Sequence, residues 1–176
     1  MSNDDPVPFT TTSKVRDTCL CLHLQSAARA VGRRFDGALR TLGLTNGQFS
    51  LLMSLNRPEP ASIAAISALL AMDRTTLTAN LKPLERRGLL AVTIDAADKR
   101  SRRLRLTSAG RALLAVALPV WAETQAEIEG LLIWTDPDDL RRDLRVLSAQ
   151  EAGAASGNVR PSRRRSAPPQ DDVSLG

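Results

Sequence analysis

Two short helical segments, each opened by a capping residue and set a few residues apart, restrict this chain more than any other feature. Ser62 stands before the apolar run 63–71, and Asp73 stands before 74–87. Both residue types accept hydrogen bonds from the free N–H groups of a first helical turn. Gly88 follows the second segment, where a left-handed residue ends a helix. The turn between them, at Ala71 and Met72, is short enough to force a sharply angled pair, a helix-turn-helix. The texture then changes. Leu89-Leu90-Ala91-Val92-Thr93-Ile94 reads as a strand, residues 95–100 read as a turn, and Arg102, Leu104 and Leu106 alternate with Arg103 and Arg105. A period of two marks a β-hairpin. A helix-turn-helix with a basic hairpin directly behind it is a winged helix.

The flanks are helical. Leu20, Leu24, Ala27, Val31, Phe35, Ala38 and Leu42 recur every three or four residues, predicting one long amphipathic helix from Asp17 to Gly43. A second helix is expected over 45–56, closed by the rigid segment Arg57-Pro58-Glu59-Pro60. Thr107 caps a long helix expected over 108–134, with Pro119 predicting a kink, and Asp136 starts a last one. With 27 Leu and 24 Ala against three Phe, two Trp and no Tyr, the core must be aliphatic and the chain mostly helical. The expected fold is therefore all-α with a small β-hairpin wing. Residues 1–16 form a mobile arm, 17–152 a single domain, and 153–176 a disordered basic tail. Within the domain, 45–107 is the lobe, and 17–44 and 108–152 are dimerisation helices. Those flanking helices carry more apolar surface than so small a lobe can cover, which favours burial against a twin.

Charge points to the partner. Between Asp73 and Arg105 nine Lys/Arg face four Asp/Glu, a local +5 that equals the net charge of the whole chain. Taken alone, such a run is a solvated face; behind a helix-turn-helix it predicts double-stranded DNA. The second helix of the motif enters a major groove N-terminus first. Arg74, Thr75, Thr76, Thr78 and Lys82 are the candidates for that groove, since Arg can grip guanine bidentately and Thr offers a hydroxyl and a methyl. Arg86, Arg87 and Arg102 are candidates for phosphate, and Arg100, with Asp98 beside it, for the wing tip in an adjacent minor groove.

Several classes are disfavoured. No apolar run approaches the roughly 18 residues of a membrane span, so no membrane partner is expected. The acidic start MSNDDPVPFT lacks the apolar stretch of a secretory signal, and two cysteines suit a reducing cytoplasm. A single histidine cannot build the usual zinc sites, and the common phosphate, dinucleotide and hydrolase motifs are missing, so neither a cofactor nor enzymatic activity is expected. The reading from another class is a protein-interaction module on a winged-helix scaffold, because fold alone does not fix function.

Three stretches carry a resemblance. Met72-Asp73-Arg74-Thr75-Thr76-Leu77-Thr78, Leu84-Glu85-Arg86-Arg87-Gly88-Leu89 and Asp98-Lys99-Arg100-Ser101-Arg102-Arg103-Leu104-Arg105-Leu106-Thr107 together resemble the MarR family of bacterial transcriptional regulators. The likeness runs from about Asp17 to Ile133. It implies an obligate homodimer with interlocked terminal helices that binds a pseudo-palindrome and often releases it on a small ligand or an oxidant, and the leading reading is a repressor. Asp98 and Arg100 match the family's wing-tip pair. Ala79 stands where many relatives carry Arg, and Pro83 interrupts the recognition helix.

Cys19 and Cys21 fall at the start of the first long helix, where free N–H groups favour a thiolate. Cys21 sits where the organic-hydroperoxide-sensing branch of the same family carries its reactive cysteine, making it a candidate redox sensor with Cys19 beside it. That branch activates its thiol with tyrosines, and here Gln25 and Phe35 stand at those spacings. The plainer reading is two small residues packed among Leu20, Leu22 and Leu24.

Overall fold

A computed structural model describes residues 7–95, 98, 99 and 101–154. Seven helices and a three-stranded sheet are found among them: α1 (Phe9–Thr18), α2 (Leu20–Leu39), α3 (Asn46–Ser54), β1 (Ala61–Ser62), α4 (Ile63–Leu70), α5 (Arg74–Arg86), β2 (Leu90–Ile94), β3 (Arg102–Leu106), α6 (Ser108–Glu129) and α7 (Pro137–Ala154). The winged-helix architecture is as expected. The chain divides into two units, Met1–Leu131 and Leu132–Gly176.

Capping sets the element starts. Thr45 Oγ1 accepts from Gln48 N–H at 3.2 Å while Thr45 N–H donates to Gln48 Oε1 at 3.2 Å, a reciprocal box that opens α3. Ser62 accepts from Ala65 N–H at 3.1 Å, Asp73 from Thr76 N–H at 2.9 Å, and Thr107 from Gly110 N–H at 3.0 Å. Ala71, at the end of α4, takes a left-handed conformation at φ 48 and ψ 38. The tight turn is held by Met72 N–H to Ser67 O (3.0 Å) and Ser67 Oγ to Met72 O (2.5 Å).

The sheet order is β1-β3-β2, all antiparallel, with Thr93 opposite Arg103 and Leu90 opposite Leu106. Ala61 pairs with Leu104, so the lead-in to the helix-turn-helix is stitched to the wing. The core lies beneath. Leu39 of α2, Leu51 and Leu52 of α3, Ile66 of α4, Leu77 and Leu84 of α5, and Leu104 of β3 are fully buried. Leu114 and Ala117 close it from the first half of α6.

Three boundaries differ from the sequence expectation. The chain forms α1 inside the segment read as a mobile arm, although none of its residues is buried. The first long helix does not run unbroken from Asp17: Cys19 adopts an extended conformation (φ −73, ψ 105) between α1 and α2, and a 3-10 turn (Arg40–Leu42) follows α2. Finally, α6 ends at Glu129, with Gly130 as its cap, before the expected 134. Pro119 lies inside α6 and Pro83 inside α5, and both helices continue through them. The expected disordered tail lies, past residue 154, outside the described residues.

Unit 2 carries α7. Asp136 Oδ1 accepts from Asp138 N–H at 2.8 Å, and the ion pairs Arg141–Asp138 and Arg142–Asp139 run along its first turns.

Candidate nucleic-acid interface

The side chains singled out on α5 fall into distinct positions. Arg74, Thr75, Thr78, Ala79 and Lys82 line one open hollow on its exposed face. Thr78 Oγ1 donates to Arg74 O at 2.7 Å, which commits its hydroxyl proton to the helix on a residue that stays exposed. Thr76 serves the helix start: its N–H and its hydroxyl (2.6 Å) both donate to the Asp73 carboxylate. Those bonds, the hydroxyl first and the backbone second, hold the Asp73 carboxyl below the usual carboxylate range. Asn80, not singled out beforehand, donates to Thr76 O at 3.0 Å and lies against Gly47 of α3, so it fixes α5 rather than facing outward.

The wing root comes close to the same helix. Arg74 and Arg102 line a second hollow with Ser62, Ser67 and Ser101. Arg102 Nη1 donates to Lys99 O at 3.1 Å, which folds it along the turn. Arg103 Nε donates to Asp95 Oδ2 at 2.5 Å across the hairpin, an ion pair that sequence reading missed although Asp95 was visible at the turn. Ser101 N–H to Asp98 O (2.9 Å) and Asp95 N–H to Ser101 O (3.1 Å) close the turn. Arg100 lies outside the described residues.

Two arginines at the end of α5 differ. Arg86 is exposed on the last turn. Arg87 turns back: Nη1 donates to Gly43 O at 2.5 Å and Nη2 to Leu42 O at 3.2 Å. Behind them Thr107 Oγ1 donates to Gly88 O at 2.7 Å, and Thr107 N–H to Leu89 O at 3.2 Å.

Away from this face, an apolar cavity of about 380 Å³ opens between α3, α4 and α6, lined by Phe49, Met53, Leu70, Leu118 and Trp121 among others. The Phe49 and Trp121 rings stack at 6.4 Å. Both cysteines are free thiols. Cys19 caps α2, and its carbonyl accepts from His23 Nδ1–H at 2.9 Å; Cys21 is exposed, with Gln25 Nε2 donating to its sulfur at 3.3 Å. The two residues flank the start of α2, Cys19 half-buried and Cys21 exposed, and within one protomer α2 buries nothing before Phe35. No described helix is long and apolar enough to cross a membrane.

Comparison with known proteins gives consistent matches. A family model described as "MarR family" matches residues 44–101. The chain is 36% identical over 97 residues to the HTH-type transcriptional regulator TtmR of Methylorubrum extorquens, covering 55% of this chain and 50% of that protein. It is 33% identical to the transcriptional activatory protein BadR of Rhodopseudomonas palustris, over 52% of this chain and 54% of that one. The chain thus spans about half the length of these curated relatives. Among solved structures, the M. tuberculosis transcriptional regulator MosR in complex with DNA is 39% identical, with a TM-score of 0.68, over 78% of this chain and 98% of that one.

Proposed function

The chain belongs to the MarR family of transcriptional regulators, and we propose that it acts as a homodimer on a pseudo-palindromic stretch of double-stranded DNA. The observation that carries this reading is the exposed hollow on α5, in which Arg74, Thr75, Thr78 and Lys82 surround the small Ala79 beside the arginine-rich wing root. Arg74 and Lys82 would meet base edges, Thr75 and Thr78 would offer methyls to thymine, and Arg86 would meet phosphate. Thr76, exposed on the same first turn, holds the Asp73 cap through its N–H and hydroxyl. Asp98, Arg100 and Arg102 would make the wing contribution, Arg100 being the candidate for the minor groove.

Dimerisation is supported by apolar side chains that one protomer leaves open. Leu20 is 60% exposed, and Leu22 of α2 and Val116 and Leu118 of α6 are exposed with it. Repression is the expected direction, by occupancy of a promoter. A gel shift against the chain's own upstream region tests the reading, and absence of sequence-selective binding at every salt concentration would favour the protein-interaction alternative.

The input signal has two chemistries to separate. One is oxidation of the exposed Cys21 thiol, whose sulfur already accepts a hydrogen bond from Gln25. The other is a small apolar ligand in the cavity beneath Trp121. Loss of operator affinity after cumene hydroperoxide in the wild type but not in Cys21→Ser assigns the first; unchanged wild-type affinity, with no sulfenate on Cys21, rules it out and leaves the ligand standing alone.

A further inference from the structure

We propose that Arg87 positions the recognition helix instead of contacting phosphate, and that through it the end of α2 sets where the reading surface sits. This inference rests on the DNA-binding reading above, and it reassigns one residue of that reading.

Arg87 is the capping residue at the end of α5 (φ −81, ψ 0). Its guanidinium grips two successive carbonyls, Leu42 and Gly43, that lie 45 and 44 residues earlier in the chain. Those carbonyls close the 3-10 turn (Arg40–Leu42) behind α2, where a helical end leaves carbonyls unpaired and partially negative. A planar cation with two parallel donors fits that end, and an ammonium would not. The fit is close: a Cβ at Gly43 would stand 3.5 Å from both Nη atoms.

The next two residues are held as firmly from another side. Gly88 O and Leu89 O both accept from Thr107, one from its hydroxyl and one from its N–H. Residues 87–89 therefore join the end of α5 to the end of α2, to the start of α6 and to the first wing strand. The α5 helix is 13 residues long, with Arg74 at the far end from this joint. At a rise of about 1.5 Å per residue, a tilt of about 5° at the joint displaces Arg74 by about 1.6 Å. That displacement is large against the tolerance of a bidentate contact to a base edge. α2 also carries Cys21 and the exposed leucines, with Cys19 at its cap, and Arg87 ties the turn behind that helix directly to the end of α5.

Charge and geometry can be tested separately. Lysine keeps the charge and loses the fork; methionine loses both. Binding of wild type, Arg87→Lys and Arg87→Met to operator and to random duplex of equal length is measured by fluorescence anisotropy across a salt series. Both variants are expected to lose operator affinity by about tenfold, the loss that follows when a displaced Arg74 forfeits its bidentate base contact. Affinity for random duplex and the salt slope should stay at wild-type values. Simple unfolding would lower both affinities together. An Arg87→Lys variant matching wild type, with Arg87→Met weaker on both duplexes and its salt slope lower by about one, would make Arg87 a phosphate contact and overturn the proposal. A DNA-free measurement keeps the clamp testable by itself. Amide exchange at Leu44 and at residues 87–89 should quicken in Arg87→Lys, and unchanged exchange overturns the clamp whatever DNA does. Failure of the wild type to prefer operator, with exchange quickened as expected, would sink the DNA-binding reading and leave the joint standing.

Discussion

Replacing Gly110 with alanine should damage the joint between α5, the wing and α6 more than any other single methyl added there. A Cβ at Gly110 would stand 2.0 Å from Leu89 O and 2.7 Å from Leu106 Cδ1. Carbon and carbonyl oxygen ordinarily meet no closer than about 3.3 Å, so the Leu89 carbonyl must retreat by about 1.3 Å. That carbonyl is tethered, because it accepts from Thr107 N–H at 3.2 Å. Retreat therefore costs a hydrogen bond, about 1 kcal/mol, and the strain of overpacking, about 1–3 kcal/mol. Alanine's better helix propensity returns about 1 kcal/mol, leaving a net loss of about 1–3 kcal/mol. Gly88 supplies the contrast. It has open space around its Cβ position but a φ of +67, so Gly88→Ala suffers only the left-handed penalty, about 1–2 kcal/mol. Urea unfolding followed by circular dichroism measures both, read from the midpoint at constant slope. Amide shifts at Leu89 and Thr107 should both move in Gly110→Ala, whereas in Gly88→Ala the Thr107 shift should change far less. A Gly110→Ala protein as stable as the wild type, with those shifts unmoved, would refute the reasoning.

Other expectations follow from the same geometry. Arg74→Ala should narrow the gap between operator and random DNA by about 1–3 kcal/mol, whereas Arg86→Ala should weaken both equally and flatten the salt slope; identical behaviour of the two would erase the division of roles along α5. The Asp73 carboxyl is held low by Thr76, so its contribution to stability is complete above the ordinary carboxylate range near about pH 3.9 and disappears as pH falls through the lower folded value. Asp73→Ala should accordingly show a shallower acid dependence of unfolding than the wild type, and parallel acid profiles would contradict that. If α2 and α6 are covered by a second copy, the melting temperature should rise with protein concentration, and a monomer at high concentration in the ultracentrifuge would end the dimer reading.

Much of the lobe was legible because its signals are local. Ser62, Asp73 and Thr107 each cap a helix through a donor three residues ahead, so chemistry and sequence spacing coincide. The wing announced itself by alternation at 102–106. Other features depend on partners far along the chain. Ala61–Ser62 is a strand only because β3 lies beside it, and two residues carry no period. The break at Cys19 has no glycine or proline to mark it. Among α5's candidates, composition named every charge but could not say which were already engaged: Thr76 belongs to Asp73, Thr78 to Arg74 O, and Arg87 to Leu42 and Gly43. The end of α6 at Gly130 was readable, yet Leu131 and Leu132 continued the apolar spacing past it.

The aromatic content gives the molecule two optical reporters of different character. There is no tyrosine, and of the two tryptophans Trp121 stacks on Phe49 in the first unit, whereas Trp134, in the second unit, is 93% exposed. Excitation of the native chain thus produces emission from one ring held in an aromatic contact and one bathed in water. In Trp134→Phe, the remaining fluorescence follows the Phe49 contact at the mouth of the apolar cavity, and a quencher in solution should reach this ring, 36% exposed, less readily than it reaches Trp134 in the converse variant. In Trp121→Phe, the signal belongs to a side chain that a lone protomer leaves in solvent, so a blue shift with rising concentration would register a neighbour arriving over Trp134.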